Sequence, residues 1–295
     1  MIYNELGKTG ITISRAGYGC RGIGKSFLAD KPQKIDEVIE TAIDHGITFF
    51  DLADVYCNGD SEEIIGRQLQ GRRERFILAT KGGKITPTLS KIANRLIPLA
   101  PLIRPLLGHR GKKIQKSVSR KNNFDTGYLK TQLDGSLRRL KTDYVDCYFL
   151  HCPTLEEMKD HNIYKWMQEE KKSGRIRAFG LSVYTPDEAI WALDHQEIDI
   201  LQIPYHLLQR EAEQSLFKHK LIDQVGIVAR APLALGELTP KNAVNHPEII
   251  AAATEAGVTV TEYAIQFVNK NPHVDNVLFG ATKKENLLSN LGVFK

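Results

Sequence analysis

The chain has 295 residues, of which 42% are hydrophobic and 25% charged, and its formal net charge is +5. This composition is ordinary for a globular protein and supplies a sizeable core. The sequence holds no apolar run of about 18 residues and begins without the features of a secretory signal, so we expect neither a transmembrane helix nor secretion. The length suits one α/β barrel of about 250 residues with room for an insertion.

The chain opens with two short extended stretches, residues 2–5 and 11–14, separated by a turn that contains Gly7 and Gly10. Two extended runs joined by a glycine-containing turn predict a β-hairpin.

After the hairpin, short runs of β-branched and aromatic residues alternate with amphipathic stretches. Such short apolar runs are expected of strands that are buried on both faces. The amphipathic stretches repeat their apolar residues at helical spacing, and Asp125 and Thr185 are typical residues for helix starts. The predicted strands are 15–18, 49–51, 76–80, 145–150, 178–181, 200–202, 227–230 and 277–279, and the predicted helices are 34–45, 62–69, 126–140, 155–172, 186–194, 259–269 and 283–289.

Eight strands that alternate with helices predict a parallel sheet, either closed into a barrel or open and doubly wound. A dinucleotide-binding open sheet would carry GxGxxG between its first strand and a helix. The nearest candidate, residues 17–22, leads into no clear helix. We therefore predict a (β/α)8 TIM barrel with an N-terminal β-hairpin, forming a single domain over residues 1–295.

One long segment, residues 83–123, interrupts the alternation after the third strand. Its prolines forbid one continuous helix, and a loop of this length is usually functional or disordered. From Arg75 to Phe124 there are twelve Lys or Arg and no Asp or Glu, so the positive charge of the chain is local. We expect this segment to be a lid, a docking segment or a solvated basic loop. A docking segment would bind phosphate, an acidic partner or a membrane surface.

The cysteines indicate the compartment. Cys20, Cys57, Cys147 and Cys152 show no CxxC spacing. In a chain of this length, they are typical of the reduced thiols of a cytoplasmic protein.

Polar side chains end three successive predicted strands. Asp51 ends the second barrel strand, and Tyr56 follows it closely. Lys81 follows the third strand, and His151 the fourth. Since barrel enzymes carry their chemistry at the carboxyl ends of the strands, we expect these four side chains to converge.

This set suits proton donation to a carbonyl group. A tyrosine normally has a pKa of about 10 and is a weak acid at neutral pH. A nearby ammonium stabilises the phenolate, so Lys81 is expected to lower the pKa of Tyr56. Asp51 would hold Lys81 charged, and His151 would donate a hydrogen bond to a substrate oxygen. Each residue alone also fits a structural role, such as an ion pair for Asp51 or a core position for His151.

Four ordered motifs resemble the aldo-keto reductase family. They are FFDLADVY at 49–56 with GDSE at 59–62, ATK at 79–81, LHCP at 150–153, and KSGRIRAFGLS at 172–182. The similarity runs from Leu6 to about Asn290 and skips mainly the insertion. The resemblance implies an oxidoreductase that moves hydride between a nicotinamide cofactor and a carbonyl or alcohol. It also implies a catalytic tetrad: Tyr56 as general acid/base, Lys81 lowering its pKa, Asp51 paired with Lys81, and His151 orienting the carbonyl.

The resemblance further implies an extended nicotinamide dinucleotide that is bound without a GxGxxG loop. Residues 227–236 resemble the loop that crosses the pyrophosphate, and residues 279–290 resemble the strand-to-helix turn that holds the adenosine phosphate. Arg230 stands where many members carry an aromatic that stacks on the nicotinamide, and Val183 where the family often has Asn. The implied cofactor residues are Ser182, Gln202, Arg230, Pro232, Leu233, Gly236, Gly280, Thr282, Lys283, Asn286 and Asn290.

On family grounds we favour NADP(H) over NAD(H), with Lys283 as the candidate for the 2′-phosphate. The family frequently has Arg in this turn, at positions where this chain has Thr282 and Asn286. The expected partner is a small-molecule aldehyde, ketone or alcohol, which is anionic if it meets the basic insertion. We expect no nucleic acid and no integral membrane contact, and the oligomeric state is open.

Two other functions are compatible with the sequence. One is a non-catalytic nicotinamide sensor or regulatory subunit on the same fold. The other is a metal-dependent barrel hydrolase, which needs several His or carboxylate ligands at strand ends. The remaining strand ends offer Lys81, Ser182, Gln202 and Arg230, so we expect no metal.

Overall fold

Eight parallel strands close into a barrel in the computed structural model, which describes residues 1–24, 35–85 and 121–294. The order around the barrel is β10-β3-β4-β5-β6-β7-β8-β9, and every neighbouring pair is parallel. The predicted (β/α)8 TIM barrel is therefore confirmed. The barrel strands are β3 (Ala16–Gly19), β4 (Phe49–Asp51), β5 (Ile77–Gly82), β6 (Val145–His151), β7 (Ile176–Ser182), β8 (Ile200–Pro204), β9 (Gly226–Arg230) and β10 (Asn276–Phe279).

The predicted N-terminal hairpin is also confirmed, as β1 (Tyr3–Glu5) paired antiparallel with β2 (Thr12–Ser14). Its apolar side chains close the amino-terminal end of the barrel. Leu6, Ile11 and Ile13 are at most 1% exposed and pack with the residues that fill the barrel interior. That end of the barrel is therefore filled, which leaves the opposite end for a site.

Helices surround the barrel close to their predicted positions. Asp125 caps the helix at Thr126–Leu140 by accepting from the backbone N–H of Tyr128, and Thr185 caps the helix at Pro186–His195 within a full capping box. Residue 34 of the first predicted helix lies outside the described residues. The helices are α1 (Ile35–Asp44), α2 (Asp60–Gln68), α3 (Thr126–Leu140), α4 (Leu155–Met158), α5 (His161–Lys172), α6 (Pro186–His195), α7 (Pro247–Glu255), α8 (Val260–Asn269) and α9 (Lys284–Leu291).

Two helix predictions need correction. The single helix expected over residues 155–172 is wrong, because the structure has α4 and α5 with a break between them. The break follows from Asp160, whose carboxylate accepts from the N–H of Asn162 at 3.0 Å and so caps a new helix. Helix α7, which begins at Pro247, was not predicted from the sequence. Among the described residues, no helix combines the length and the apolar character that crossing a bilayer requires.

The interior of the barrel follows the two-residue period of its strands. Phe49, Ala79, Phe149 and Val228 point inward and belong to one buried cluster. Side chains on one face of a strand recur at every second residue. The next inward positions are therefore 51, 81, 151 and 230, one layer nearer the carboxyl end. Hydrophobic packing in the lower layer thus positions polar residues in the upper one.

The two ends of the predicted insertion lie side by side. Lys84 and Asn122 form an antiparallel bridge, and the N–H of Asn123 donates to the carbonyl of Gly83 at 2.8 Å. We call this short two-stranded segment, residues 83–85 and 121–123, the stalk. The rest of the predicted insertion, residues 86–120, lies outside the described residues.

Candidate active site

Four predicted catalytic residues meet at the carboxyl end of the barrel. Asp51 and His151 are the last residues of β4 and β6, and Lys81 is the penultimate residue of β5. Lys81 is 1% exposed, and its ammonium donates to the Asp51 carboxylate at 2.6 Å and to the Leu52 carbonyl at 2.8 Å. The same ammonium lies 3.3 Å from the Tyr56 hydroxyl. A buried ion pair therefore holds a cation against the phenol.

A strained turn positions Tyr56. Cys57 and Asn58 have φ values of 49° and 58°, and Gly59 follows at 96°. Left-handed backbone at non-glycine residues is costly and concentrates at functional sites. Directly after this turn α2 begins at Asp60. The turn thus brings the phenol back over the barrel mouth, where it contacts the edge of the His151 ring with centroids 5.9 Å apart.

Burial and charge oppose each other at the phenol. Burial raises the pKa of Tyr56, Lys81 lowers it and Asp51 raises it, with a net shift above the ordinary 10.0. Lys81 thus lowers the pKa of Tyr56 as expected, but burial outweighs the ammonium, so the net shift is upward. Burial alone would lower the pKa of Lys81, but Asp51 and Tyr56 together raise it above 10.5. The pair is thus a protonated phenol beside a firmly charged ammonium.

A second polar chain runs into the same carboxylate. Ser182, the last residue of β7, donates its hydroxyl to the Gln202 side-chain oxygen at 2.9 Å. The Gln202 amide donates in turn to Asp51 at 2.8 Å. Both side chains are 1% exposed. The three residues therefore form a fixed network along one wall of the barrel mouth.

These residues line a cleft of about 1100 Å³. Most of the predicted cofactor residues also line it: Ser182, Gln202, Arg230, Pro232, Leu233, Gly236, Gly280 and Thr282. The structure does not bring Lys283, Asn286 and Asn290 to the cleft wall. Lys283 and Asn286 are exposed at the start of α9, and Asn290 is 4% exposed within that helix.

Arg230 ends β9 on a wall with unusual backbone. Its guanidinium donates to the carbonyl of Val183 at 2.8 Å and lies over the Tyr184 ring at 5.2 Å. Ala231, Ala234 and Leu235, which follow it, all have positive φ, and Leu235 is 82% exposed. We call residues 231–236 the strap. Non-glycine residues held in the left-handed region turn their backbone N–H groups in ways that can cradle an anion.

Several cleft residues were not among the site residues predicted from the sequence. Lys84, Cys152, Tyr184 and Thr239 all line the cleft. Arg21, which follows the first barrel strand, lines it as well. Cys152 and Tyr184 directly follow the strand-end residues His151 and Ser182, so the rule that loops after strand ends carry function could have found both. In the described part of the chain, no group of three or more His, Cys, Asp or Glu residues is placed to hold a metal ion.

Comparison with known proteins shows which family and fold this chain resembles. The sequence model of the Aldo/keto reductase family matches residues 17–295. Uncharacterized oxidoreductase YqkF of Bacillus subtilis is 30% identical, with 99% of this chain and 90% of that protein covered. Aldo-keto reductase YhdN of the same organism is 27% identical, with 96% and 86% covered.

Solved structures share the fold. The holo form of aldo-keto reductase AKR11C1 from Bacillus halodurans has a TM-score of 0.80 at 24% identity, and the match covers 100% of this chain and 91% of that one. An aldo/keto reductase from Klebsiella pneumoniae, solved in complex with NADP and acetate, has a TM-score of 0.72 at 23% identity, with 96% and 87% covered.

Proposed function

This chain belongs to the aldo/keto reductase family of NAD(P)-dependent oxidoreductases, and we propose that Tyr56 is the general acid/base with which it interconverts a small aldehyde or ketone and the alcohol. The observation that carries this proposal is the contact between the buried Lys81 ammonium and the hydroxyl of Tyr56 at 3.3 Å, since Tyr56 lines the cleft. A protein that only bound nicotinamide would have no use for a phenol held against a buried cation.

The cleft fits a nicotinamide dinucleotide. The Nε of Arg230 is buried and has no partner among the described residues, although its side chain lines the cleft. Gly280 lines the cleft and lies close to the backbone of Gly19, since a Cβ there would lie 3.0 Å from the Gly19 carbonyl oxygen. We propose that Ser182 and Gln202 hold the nicotinamide amide, and that the strap covers the pyrophosphate.

A reduced nicotinamide supplies the hydride when it is bound. The remaining chemistry belongs to the protein. His151 donates a hydrogen bond to the carbonyl oxygen and fixes its direction. Tyr56 then gives its hydroxyl proton to that oxygen, and Lys81 stabilises the phenolate that remains. Asp51 and Gln202 keep Lys81 charged and fixed, so no side chain has to reorganise during proton transfer.

We propose that the cofactor is NADP(H), with Lys283 beside the 2′-phosphate. Lys283 is exposed and precedes α9, where backbone N–H groups favour an anion. Lys283→Ala is expected to weaken NADPH binding about tenfold and NADH binding much less, because NADH lacks that phosphate. Lys284→Ala is the matched control, since Lys284 already pairs with Glu37 at 3.4 Å. Equal losses for the two nucleotides would remove Lys283 from the phosphate site.

We also propose that the substrate is anionic. Arg21, Lys84 and Arg230 line the cleft. Asp51 is the one carboxylate among the described residues that line it, and it is paired with Lys81. A cleft with uncompensated positive charge raises the local concentration of anions.

The test of the proposed function is a titration with NADPH and NADH, followed by assays of nicotinamide oxidation with a panel of aldehydes and ketones. Tight nucleotide binding and turnover with at least one carbonyl compound are expected. Binding without turnover on the panel would favour a sensor. If neither nucleotide bound, the proposed nicotinamide-dependent activity would be wrong.

A further inference from the structure

We propose that Lys84 is the residue that recognises the negative charge of the substrate, and that the preferred substrates are aldehydes or ketones that carry a carboxylate or a phosphate. This inference rests on the proposed function. Its evidence is the place of Lys84 on the barrel rim, the contacts that fix it, and the absence of a carboxylate partner within the described residues.

The barrel order separates Lys84 from the proposed cofactor wall. Lys84 follows β5, whereas Arg230 and the strap follow β9. In the closed order, four strand-to-strand steps separate β5 from β9 in either direction. The two strands therefore lie on opposite sides of the barrel. A cation above β5 faces the proposed pyrophosphate site from across the cleft, so its charge is available to a different anion.

Unlike Lys84, Arg21 lies near a proposed cofactor segment. Gly22, its neighbour, approaches the side chain of Thr282, since a Cβ at Gly22 would lie 3.0 Å from a Thr282 methyl carbon. Thr282 belongs to the turn before α9, where the adenosine phosphate is proposed to bind. Of the three described cations that line the cleft, Arg230 lies beside the proposed cofactor segments. Arg21 lies between the turn at Thr282 and the Tyr56 turn, where the Cys57 thiol donates to its carbonyl at 3.8 Å.

Lys84 lies on the substrate side of the cleft. The neighbours of β5 are β4, which leads into the Tyr56 turn, and β6, which ends at His151. The proposed carbonyl position lies between those two side chains. Lys84 is three residues beyond Lys81, and three residues of extended chain rise by at most about 10 Å. Its ammonium is therefore placed to meet the far end of a substrate whose carbonyl oxygen contacts Tyr56.

The stalk fixes this lysine. Its backbone bridges Asn122, and its carbonyl accepts from the Tyr128 hydroxyl at 3.3 Å. Gly83 turns the chain at φ 102°, with Phe124 so close that a Cβ would overlap its ring. The Lys84 ammonium donates to the Asn122 amide oxygen at 3.1 Å. A side chain that is already held in one rotamer loses less entropy when it binds an anion.

The charge of Lys84 is not neutralised by its contacts. Asn122 is uncharged, and its amide donates onward to Glu157 at 2.9 Å. The contacted oxygen of Glu157 also accepts from the backbone N–H and hydroxyl of Thr154. Among the described residues, no carboxylate oxygen lies within 4.0 Å of the Lys84 ammonium. An ammonium that is half-buried, held in place and without an ionic partner in the described part of the chain is well suited to bind an anion.

The test compares charged and uncharged aldehydes of similar size. Succinic semialdehyde against butyraldehyde probes a carboxylate, and glyceraldehyde 3-phosphate against glyceraldehyde probes a phosphate. For each pair we take the ratio of kcat/KM for the charged compound to kcat/KM for the uncharged one. Lys84→Met is expected to lower the ratio about tenfold or more, mainly through KM of the charged compound. The pair with the larger drop identifies the anion.

Two variants complete the design. Lys84→Arg keeps the charge and is expected to retain most of the ratio. Lys121→Met removes the same charge from the other strand of the stalk, where the side chain is exposed and does not line the cleft. It is expected to change the ratio less than threefold.

An unchanged ratio in Lys84→Met, or an equal drop in Lys121→Met, would overturn the assignment of Lys84. In that case turnover of uncharged aldehydes by the wild-type protein would leave the proposed function intact. Absence of turnover with every aldehyde would instead remove the proposed function, and this inference with it.

Discussion

At the scale of single residues, the site depends on one buried ion pair. The Asp51 carboxylate receives the Lys81 ammonium at 2.6 Å and the Gln202 amide at 2.8 Å. Removing one partner of such a pair leaves a buried charge without compensation, which is far more costly than losing a surface pair. The Asp51–Lys81 pair therefore stabilises the fold as well as preparing Tyr56.

Asp51→Asn is expected to lower the free energy of unfolding by about 3–5 kcal/mol near neutral pH, measured by urea denaturation. The matched control is Asp36→Asn, which removes an exposed partner of Arg67 and should cost about 1 kcal/mol or less. The raised pKa of Lys81 means that the folded protein binds this proton more tightly than the unfolded chain does. That contribution is complete below pH 10.5 and is lost as the pH rises through the folded pKa, so the wild-type advantage should shrink there. An advantage that did not change with pH would contradict this origin.

The pH dependence of catalysis follows from the direction of the Tyr56 shift. In the proposed mechanism, reduction needs the protonated phenol, and oxidation needs the phenolate. Because the pKa of Tyr56 is raised above 10.0, reduction should keep a full complement of proton donor through neutral and mildly alkaline pH. It should decline only above about pH 10, while oxidation should rise with pH over the same range. A decline of kcat/KM for reduction between about pH 7 and 8 would instead mean that Lys81 dominates over burial.

The meeting of the four strand-end residues at the barrel mouth could be anticipated from sequence, but their energetics could not. The motifs around Asp51, Tyr56, Lys81 and His151 mark the barrel mouth, because their strands are recognisable locally. The net pKa of Tyr56 depends on how deeply the turn at residues 57–59 buries the ring. That turn is stabilised by contacts with distant parts of the chain, and no local pattern reports them.

At the scale of elements, α2 connects the Tyr56 turn to the rest of the barrel through its contacts with neighbouring elements. The helix packs on α3, and its Gly66 lies against the backbone of Arg139 and Leu140. Glu62 of the same helix is fully buried and accepts from the Thr80 hydroxyl at 2.6 Å and from the Arg139 guanidinium at 2.7 Å. The close approach of α2 to α3 requires a glycine at position 66. Because α2 begins directly after the Tyr56 turn, a shift of this helix would also move the turn.

Gly66→Ala is expected to destabilise the protein by about 1–3 kcal/mol, because a Cβ would lie 2.5 Å from the Arg139 carbonyl oxygen. Alanine is otherwise the better helix former by about 1 kcal/mol, so helix propensity predicts the opposite sign. Gly292→Ala is the control, since no atom lies within 4 Å of its Cβ position. Urea denaturation of both variants distinguishes the two effects. Equal stability of Gly66→Ala and wild type would show that the helices can separate.

Elements were easier to predict than the connections between them. Strands such as β6 are recognisable in the sequence as short apolar runs, and capping residues such as Thr185 mark helix starts. The break between α4 and α5 was missed because Asp160 competes with a continuing amphipathic pattern. The placement of Lys84 and Tyr184 in the cleft was missed because loop conformation depends on packing with distant residues.

At the scale of the whole molecule, we propose that the chain folds as one domain. We also propose that the cofactor contacts segments from both the early and the late parts of the chain. The predicted cofactor positions come from β7 through α9, and Arg21 joins them from the start of the barrel. A ligand that contacts such distant segments binds the native state and has no comparable site on the unfolded chain. Nucleotide binding should therefore stabilise the entire barrel.

NADPH at about a hundred times its Kd is expected to raise the free energy of unfolding by about 2.7 kcal/mol. The change would appear as a higher midpoint in urea, followed by circular dichroism and by fluorescence. Both probes should shift together if the barrel unfolds as one unit. A shift in only one of them would argue against the single-domain proposal.

The most direct test of the whole account is one comparison of Tyr56→Phe with Tyr164→Phe and the wild type, in which NADPH affinity and carbonyl reduction are measured on the same preparations. Tyr164→Phe is the matched control, because its hydroxyl has no partner among the described residues and its side chain does not line the cleft. We predict that Tyr56→Phe binds NADPH nearly as well as wild type and reduces aldehydes about 10²–10⁴-fold more slowly. Turnover by Tyr56→Phe at the wild-type rate would contradict the assignment of Tyr56 as the proton donor.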